Sequence, residues 1–139
     1  MNLKRVVKPV KIKDFTLDGS KIYIQSMLNV PSDDVEGNVK QAVELEKCGC
    51  EIVRVSIPDK QAIRLIPAIK SQISIPLVAD IHYDYKLALE SVAAGIDKVR
   101  INPGNIGSLD RIKQVADSCR TNNIPIRIGV NSGSLEKEL

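Results

Sequence analysis

The sequence predicts an α/β fold: a partial (β/α)8 TIM barrel of about five parallel strands with intervening helices, plus an N-terminal β-hairpin. Three observations predict it. Short β-rich runs alternate with amphipathic stretches along the 139 residues. The interval from one strand to the next is roughly 20 to 30 residues, the size of a right-handed βα unit. No glycine-rich dinucleotide fingerprint follows the first strand, which removes the Rossmann alternative. A closed barrel has eight units in about 250 residues, so residues 22–139 read as the first five βα units of a longer barrel. Residues 1–21 read as a hairpin capping the barrel base.

The elements follow in order. Val10 to Ile12 and Phe15 to Leu17, joined at Lys13-Asp14, form the hairpin, with Asp18-Gly19 as the turn that leaves it. Strands are expected at Ile22 to Ser26, Glu51 to Ser56, Leu77 to His82, Lys98 to Asn102 and Ile126 to Val130. Helices are expected at Asp33 to Cys48, Asp59 to Ser71, Asp84 to Ala94 and Ser108 to Asn122, each opening on an Asp or Ser able to cap free N–H groups. Gly49 and Gly95 act as helix stops. Val35, Val39, Ala42 and Val43 fall on one face of the first helix, and Leu109, Ile112, Ala116 and Cys119 on one face of the fourth. Pro67 removes a hydrogen bond from the second helix and predicts a break near Ile66. Ser134 to Leu139 begins a further helix-like stretch.

Composition narrows the function. Twenty Lys and Arg against seventeen Asp and Glu leave a formal charge of +3, too small an excess to favour nucleic acid. Aromatic residues at 3% and the lack of Trp remove the stacking platforms of single-strand binders. No apolar run reaches the roughly 20 residues of a membrane span, and Met1 leads into Lys4, Arg5 and Lys8 with no hydrophobic signal segment behind them. A cytoplasmic location is expected. Three cysteines, Cys48, Cys50 and Cys119, fit reduced thiols rather than a disulfide framework. The Cys48-Gly49-Cys50 spacing is too tight for a CxxC metal knuckle, so no metal site is assigned.

Strand side chains alternate between faces. By parity Ile52, Arg54 and Ser56 share a face, as do Val78, Asp80 and His82; Arg100 and Asn102; and Arg127, Gly129 and Asn131, while Gln25 stands near the end of the first strand. Val53, Val55, Ile81, Val99, Ile101, Ile126 and Ile128 face the helices. Polar groups late in successive parallel strands are unlike ordinary packing, because parallel strands are usually apolar on both faces. Barrel enzymes place their chemistry at the carboxyl ends of the strands. Arg54, Arg100 and Arg127 suit bidentate phosphate or carboxylate oxygens; the alternative is a structural network with Asp80 or Glu51. His82, the single histidine, stands two residues after Asp80, where the pair could hold hydroxyls or move protons. The turns Asn102 to Gly107 and Asn131 to Ser134 could offer backbone N–H groups to an anion, or serve simply as strand-to-helix connections.

Gln25-Ser26-Met27, Cys48 to Asp59 (CGCEIVRVSIPD), Ile75 to Tyr85 (IPLVADIHYDY), Asp97 to Gly107 (DKVRINPGNIG) and Ile124 to Glu136 (IPIRIGVNSGSLE) together resemble the 4-hydroxy-3-methylbut-2-enyl diphosphate synthase family, IspG/GcpE. The resemblance runs in order across nearly the whole chain. It implies an iron–sulfur oxidoreductase of non-mevalonate isoprenoid biosynthesis that reductively opens and dehydrates 2-C-methyl-D-erythritol 2,4-cyclodiphosphate, with ferredoxin or flavodoxin as electron donor and a homodimer as the complete enzyme. It implies diphosphate binding at Arg54, Arg100 and Arg127, with Asp80, His82, Asn102 and Asn131 nearby. The family's [4Fe–4S] cluster is carried by three cysteines and a glutamate in a separate C-terminal domain, and Cys48, Cys50 and Cys119 do not match those ligands. This chain alone is therefore expected to carry neither cluster nor turnover, and no catalytic residue is assigned within it. After Gln25-Ser26-Met27 the family continues with a Thr-Asn-Thr run, whereas here Leu28-Asn29-Val30-Pro31 follows. Two other readings stand beside this one: another phosphate-handling barrel enzyme such as a dihydropteroate synthase, and a non-catalytic barrel fragment that pairs with another chain.

Overall fold

A computed structural model describes residues 6–134 of the chain. Lys4, Arg5 and the helix-like stretch after Ser134 lie outside the described residues. Strands β1 (Val10–Ile12) and β2 (Phe15–Leu17) pair antiparallel, Ile12 opposite Phe15, as the hairpin expectation has it. Five further strands, β3 (Gln25–Met27), β4 (Ile52–Ser56), β5 (Leu77–Ile81), β6 (Lys98–Ile101) and β7 (Ile126–Ile128), form one parallel sheet in sequential order. Helices α1 (Val35–Lys47), α2 (Leu65–Lys70), α3 (Tyr85–Ala93) and the later α5 (Leu109–Thr121) provide the crossovers. Sequential parallel strands joined by helices are the arrangement of a barrel wall, so the α/β partial-barrel expectation is borne out.

Local chemistry sets the helix ends. Asp34, Asp84 and Ser108 accept hydrogen bonds from Gly37 N, Lys86 N and Arg111 N and so cap α1, α3 and α5. Gly49 and Gly95, at φ +93° and +87°, leave the helices through the left-handed region that side chains disfavour. Before α2 a single 3-10 turn runs Gln61–Arg64, capped by Asp59 Oδ1 accepting from Ala62 N at 2.9 Å. The break expected near Ile66 falls at Arg64/Leu65, and Pro67 stands in the first turn of α2, where its missing N–H leaves no helical bond unmade.

Two apolar clusters divide the sheet faces. Val53, Val55, Ile81, Val99 and Ile101 face the helices and join Leu65, Ile66, Ile69, Leu87 and Val115 in the main core. On the other face Ile12, fully buried, packs with Ile52 and Val78, flanked by Phe15, Leu17 and Tyr23. The hairpin therefore covers the amino-terminal end of the open face.

Some expectations need correction. The first sheet strand starts at Gln25, not Ile22, which is 90% exposed. Leu109 is 85% exposed and Val115 takes its place in the core, because Leu109 occupies the first turn of α5, beyond the sheet's edge of contact. The last strand ends at Ile128, which is itself exposed, although Ile126 two residues earlier packs against the main core. His82 and Asn102 lie one residue past β5 and β6, and Asn131 lies in the turn that leads to the 3-10 segment Ser132–Ser134.

Candidate functional site

The register of the sheet builds the site. Asp80 on β5 is the partner of Arg100 on β6, and Arg100 is the partner of Arg127 on β7. Arg54 on β4 stands opposite Val78, one step nearer the hairpin. Parallel pairing keeps Cα partners on the same side, so all four polar side chains share the open face.

Asp80 is 1% exposed and is the hub. Its Oδ2 accepts from Arg54 Nη2 at 2.5 Å and Nε at 3.2 Å, and its Oδ1 accepts from Arg100 Nη1 at 3.2 Å. His82 Nε2 stands 3.3 Å from Oδ2. Burial pushes the Asp80 carboxyl up, yet the Arg54 hydrogen bond and the positive charges of Arg54, His82 and Arg100 outweigh burial and hold it below its ordinary value. The carboxylate is thus ionised and shared. The network alternative raised from the sequence is real for Asp80 and absent for Glu51, which takes Lys21 Nζ and Ile24 N instead.

Sharing does not neutralise the face. The face carries three guanidiniums and one carboxylate: Arg54 and Arg100 share Asp80, and Arg127, exposed on the edge strand, pairs with no acid among the described residues. Arg100 reaches sideways over Gly129, where a Cβ would come within 2.7 Å of its Nε. The face can therefore take a multivalent anion whose oxygens are met by forked donors.

Asn102, fully buried, caps the single helical turn α4 (Pro103–Ile106) by accepting from Gly104 N at 3.1 Å, and its Nδ2 donates to Ser134 Oγ at 2.9 Å. Ser134 Oγ also accepts from Asn131 N at 3.1 Å. The expected open turn at Asn102 to Gly107 is thus a helical turn whose Gly104 N–H is already taken, and Asn102 ties the two rim loops together. Gln25 is not brought to the rim: it pairs with Ile52 in the row against the hairpin. Leu28, in place of a hydroxyl residue, is 6% exposed in the main core and does not face the arginines.

Sequence reasoning missed Lys98. It opens β6, is only 8% exposed and shares the parity of Arg100. Burial first, and the like charge of Arg127 second, hold its ammonium below the ordinary lysine value. The strand parity that selected Arg100 would have found it.

A cavity of about 690 Å³ lies at the opposite end between the hairpin and the start of β7, lined by Lys11, Lys13, Cys119, Arg120, Asn123, Ile124 and Pro125. The Asp80 cluster is instead an open surface. The cysteines do not fit an iron–sulfur cluster. Cys50 is buried with Sγ 3.1 Å from Ile52 O, Cys119 is buried, and Cys48 is exposed at the end of α1. Among the described residues no group of three or more His, Cys, Asp or Glu could hold a metal ion. No helix among them is long and apolar enough to cross a membrane.

Comparison with known proteins matches residues 7–139 to the GcpE TIM-barrel domain family. The 4-hydroxy-3-methylbut-2-en-1-yl diphosphate synthase (flavodoxin) of Listeria monocytogenes is 53% identical over 133 residues, which are 95% of this chain and 36% of that protein. The protein of the same name from Fusobacterium nucleatum is 52% identical over 138 residues, 99% of this chain and 39% of its own length. The chain thus spans little more than a third of these relatives. Solved dihydropteroate synthases are similar in fold alone. That of Yersinia pestis shares 14% identity at a TM-score of 0.66, covering 85% of this chain and 44% of its own. That of Burkholderia cenocepacia shares 17% at 0.68, covering 88% and 46%.

Proposed function

The chain belongs to the GcpE TIM-barrel domain family, and on that footing we propose that it is the substrate-binding barrel portion of a 4-hydroxy-3-methylbut-2-enyl diphosphate synthase, which reductively opens and dehydrates 2-C-methyl-D-erythritol 2,4-cyclodiphosphate. The observation that carries the reading is the excess of guanidinium over carboxylate on one face: Arg54 and Arg100 share Asp80, and Arg127 pairs with no acid among the described residues. A cyclic diphosphate supplies the missing negative charge and oxygens in the forked geometry that Arg prefers.

Asp80 has two roles. It preorganises Arg54 and Arg100, so that less side-chain freedom is lost when the ligand arrives, and it keeps the bare guanidiniums compensated in the empty state. His82, 42% exposed at its side chain, faces the ligand side of that carboxylate, where it can donate to a substrate oxygen. Asn102 and Asn131, joined through Ser134, shape the loops at the mouth. In the complete enzyme, a homodimer with flavodoxin or ferredoxin as electron donor, an iron–sulfur centre would be held by residues other than those described and would supply the redox chemistry. No step of that redox chemistry is assigned to Cys48, Cys50 or Cys119, whose positions do not converge.

Calorimetric titration with the cyclodiphosphate tests the reading. Arg100→Ala should weaken binding by about 1.5 to 3 kcal/mol, the worth of a hydrogen bond to a charged group. Equal heats for the two proteins would remove the arginine face as the binding site. A dihydropteroate-synthase-like activity has only the fold in its favour, and fold does not carry function.

A further inference from the structure

The hydroxyl of Ser134 is fully occupied within the protein. Its Oγ accepts from Asn102 Nδ2 at 2.9 Å and from Asn131 N at 3.1 Å, and it donates to Asn131 O at 2.9 Å. A hydroxyl has one hydrogen and two lone pairs to offer, so none is left for a ligand. Asn131 O also accepts from Ser134 N at 3.0 Å. Both backbone polar groups of Asn131 are therefore held by Ser134, while the residue itself stays exposed at the mouth. From the neighbouring loop the fully buried Asn102 joins the same node. Gly104 lets the two loops meet, because a Cβ there would collide with the Ser134 carbonyl oxygen.

The node holds the end of β7. That strand has three residues and pairs with β6 alone among the described residues, so its end is the part of the sheet most open to fraying. The backbone that follows runs between two pins: Gly129 N donates to Ile101 O at 3.0 Å, and Asn131 N donates to Ser134 Oγ. Gly129, at the first pin, lies against the Arg100 guanidinium. Ser134 thus acts on Arg100 through the backbone of residues 129–131, without touching it.

We propose that Ser134 is a positioning residue for the arginine face: its hydroxyl clasps the loops after β6 and β7, keeps the 129–131 segment against Arg100, and so fixes how that guanidinium meets the ligand. The proposal rests on the reading of this face as the cyclodiphosphate site and assigns to it a residue that stands outside the face.

Calorimetric titration of the intact protein with the cyclodiphosphate, repeated on variants, tests the clasp. Ser134→Ala should weaken binding about tenfold, and Ser134→Thr, which keeps the hydroxyl, should restore most of the affinity. Gly104→Ala leaves the hydroxyl in place and pushes the loops apart, and should show a comparable loss. Val115→Ala, in the main core under α5, should lower the melting temperature at least as far as Ser134→Ala and leave the affinity unchanged, which separates positioning from a general loss of stability. In an Arg100→Ala background, Ser134→Ala should weaken binding by at most about twofold, because the group it positions is gone. Fully additive losses in that double variant, or a loss of affinity in Val115→Ala equal to that in Ser134→Ala, would overturn the clasp and leave the diphosphate reading standing. So would unchanged affinity in Ser134→Ala alongside a loss in Arg100→Ala. No binding by the parent, or parental affinity in Arg100→Ala, would remove both.

Discussion

Gly129 lies against the Arg100 guanidinium: a Cβ at residue 129 would stand 2.7 Å from Arg100 Nε and 2.8 Å from Nη2. Residue 129 lies one position past β7, the strand next to Arg100, with its N–H donating to Ile101 O, so its lack of a side chain leaves the space that the guanidinium fills. Gly129→Ala should displace the end of a flexible side chain rather than backbone. The stability change should stay within about 1 kcal/mol, while affinity for the cyclodiphosphate falls about tenfold because Arg100 is moved from its forked position. Paired urea titration and calorimetry check this; a large loss of stability with normal binding would contradict it.

Asp80→Asn should destabilise the fold by about 3 kcal/mol at neutral pH, because two partly buried guanidiniums lose their shared counter-charge. The pH dependence has a definite sign. The folded carboxyl titrates below its ordinary value, so its contribution is fully present above the unfolded value, about 3.9, and is lost as pH falls through the lower folded value. Urea unfolding from pH 6 down to pH 2 should show this acid-side loss in the parent and its absence in Asp80→Asn.

Ile12→Ala tests the seat of the hairpin. Ile12 is fully buried against Ile52 and Val78, and removing its side chain should cost about 2 to 4 kcal/mol, from lost burial plus the cavity left behind. Val10→Ala, two residues earlier and 41% exposed, should cost far less. Equal effects in thermal melts would show that the hairpin is not anchored through Ile12.

Thiol chemistry should separate the cysteines. Burial pushes the Cys119 thiol up to about 11, so it is protonated and shielded at pH 8, whereas Cys48 is exposed. Iodoacetamide followed by mass spectrometry should modify Cys48 first and Cys119 only on unfolding. Early labelling of Cys119 would place it outside the core.

Much of the fold was legible because its signals are local. The hairpin strands stand where Val10 to Ile12 and Phe15 to Leu17 placed them, and Asp84, Ser108, Gly49 and Gly95 mark helix ends through bonds and dihedrals made within a few residues. The misplaced items are those that depend on distant neighbours. Ile22 read as the start of a strand and Leu109 as part of a helix's apolar face, and both are exposed.

The sequence by itself determined which side chains share the open face, since alternation along a strand is a property of the backbone alone and puts Arg54, Asp80, Arg100 and Arg127 on one side. Only the tertiary structure decided which of them pair. The Arg54–Asp80 and Arg100–Asp80 bonds join residues 26 and 20 apart in the chain, and they depend on strand register, which parity does not specify. The same register gives Asp80 to two arginines.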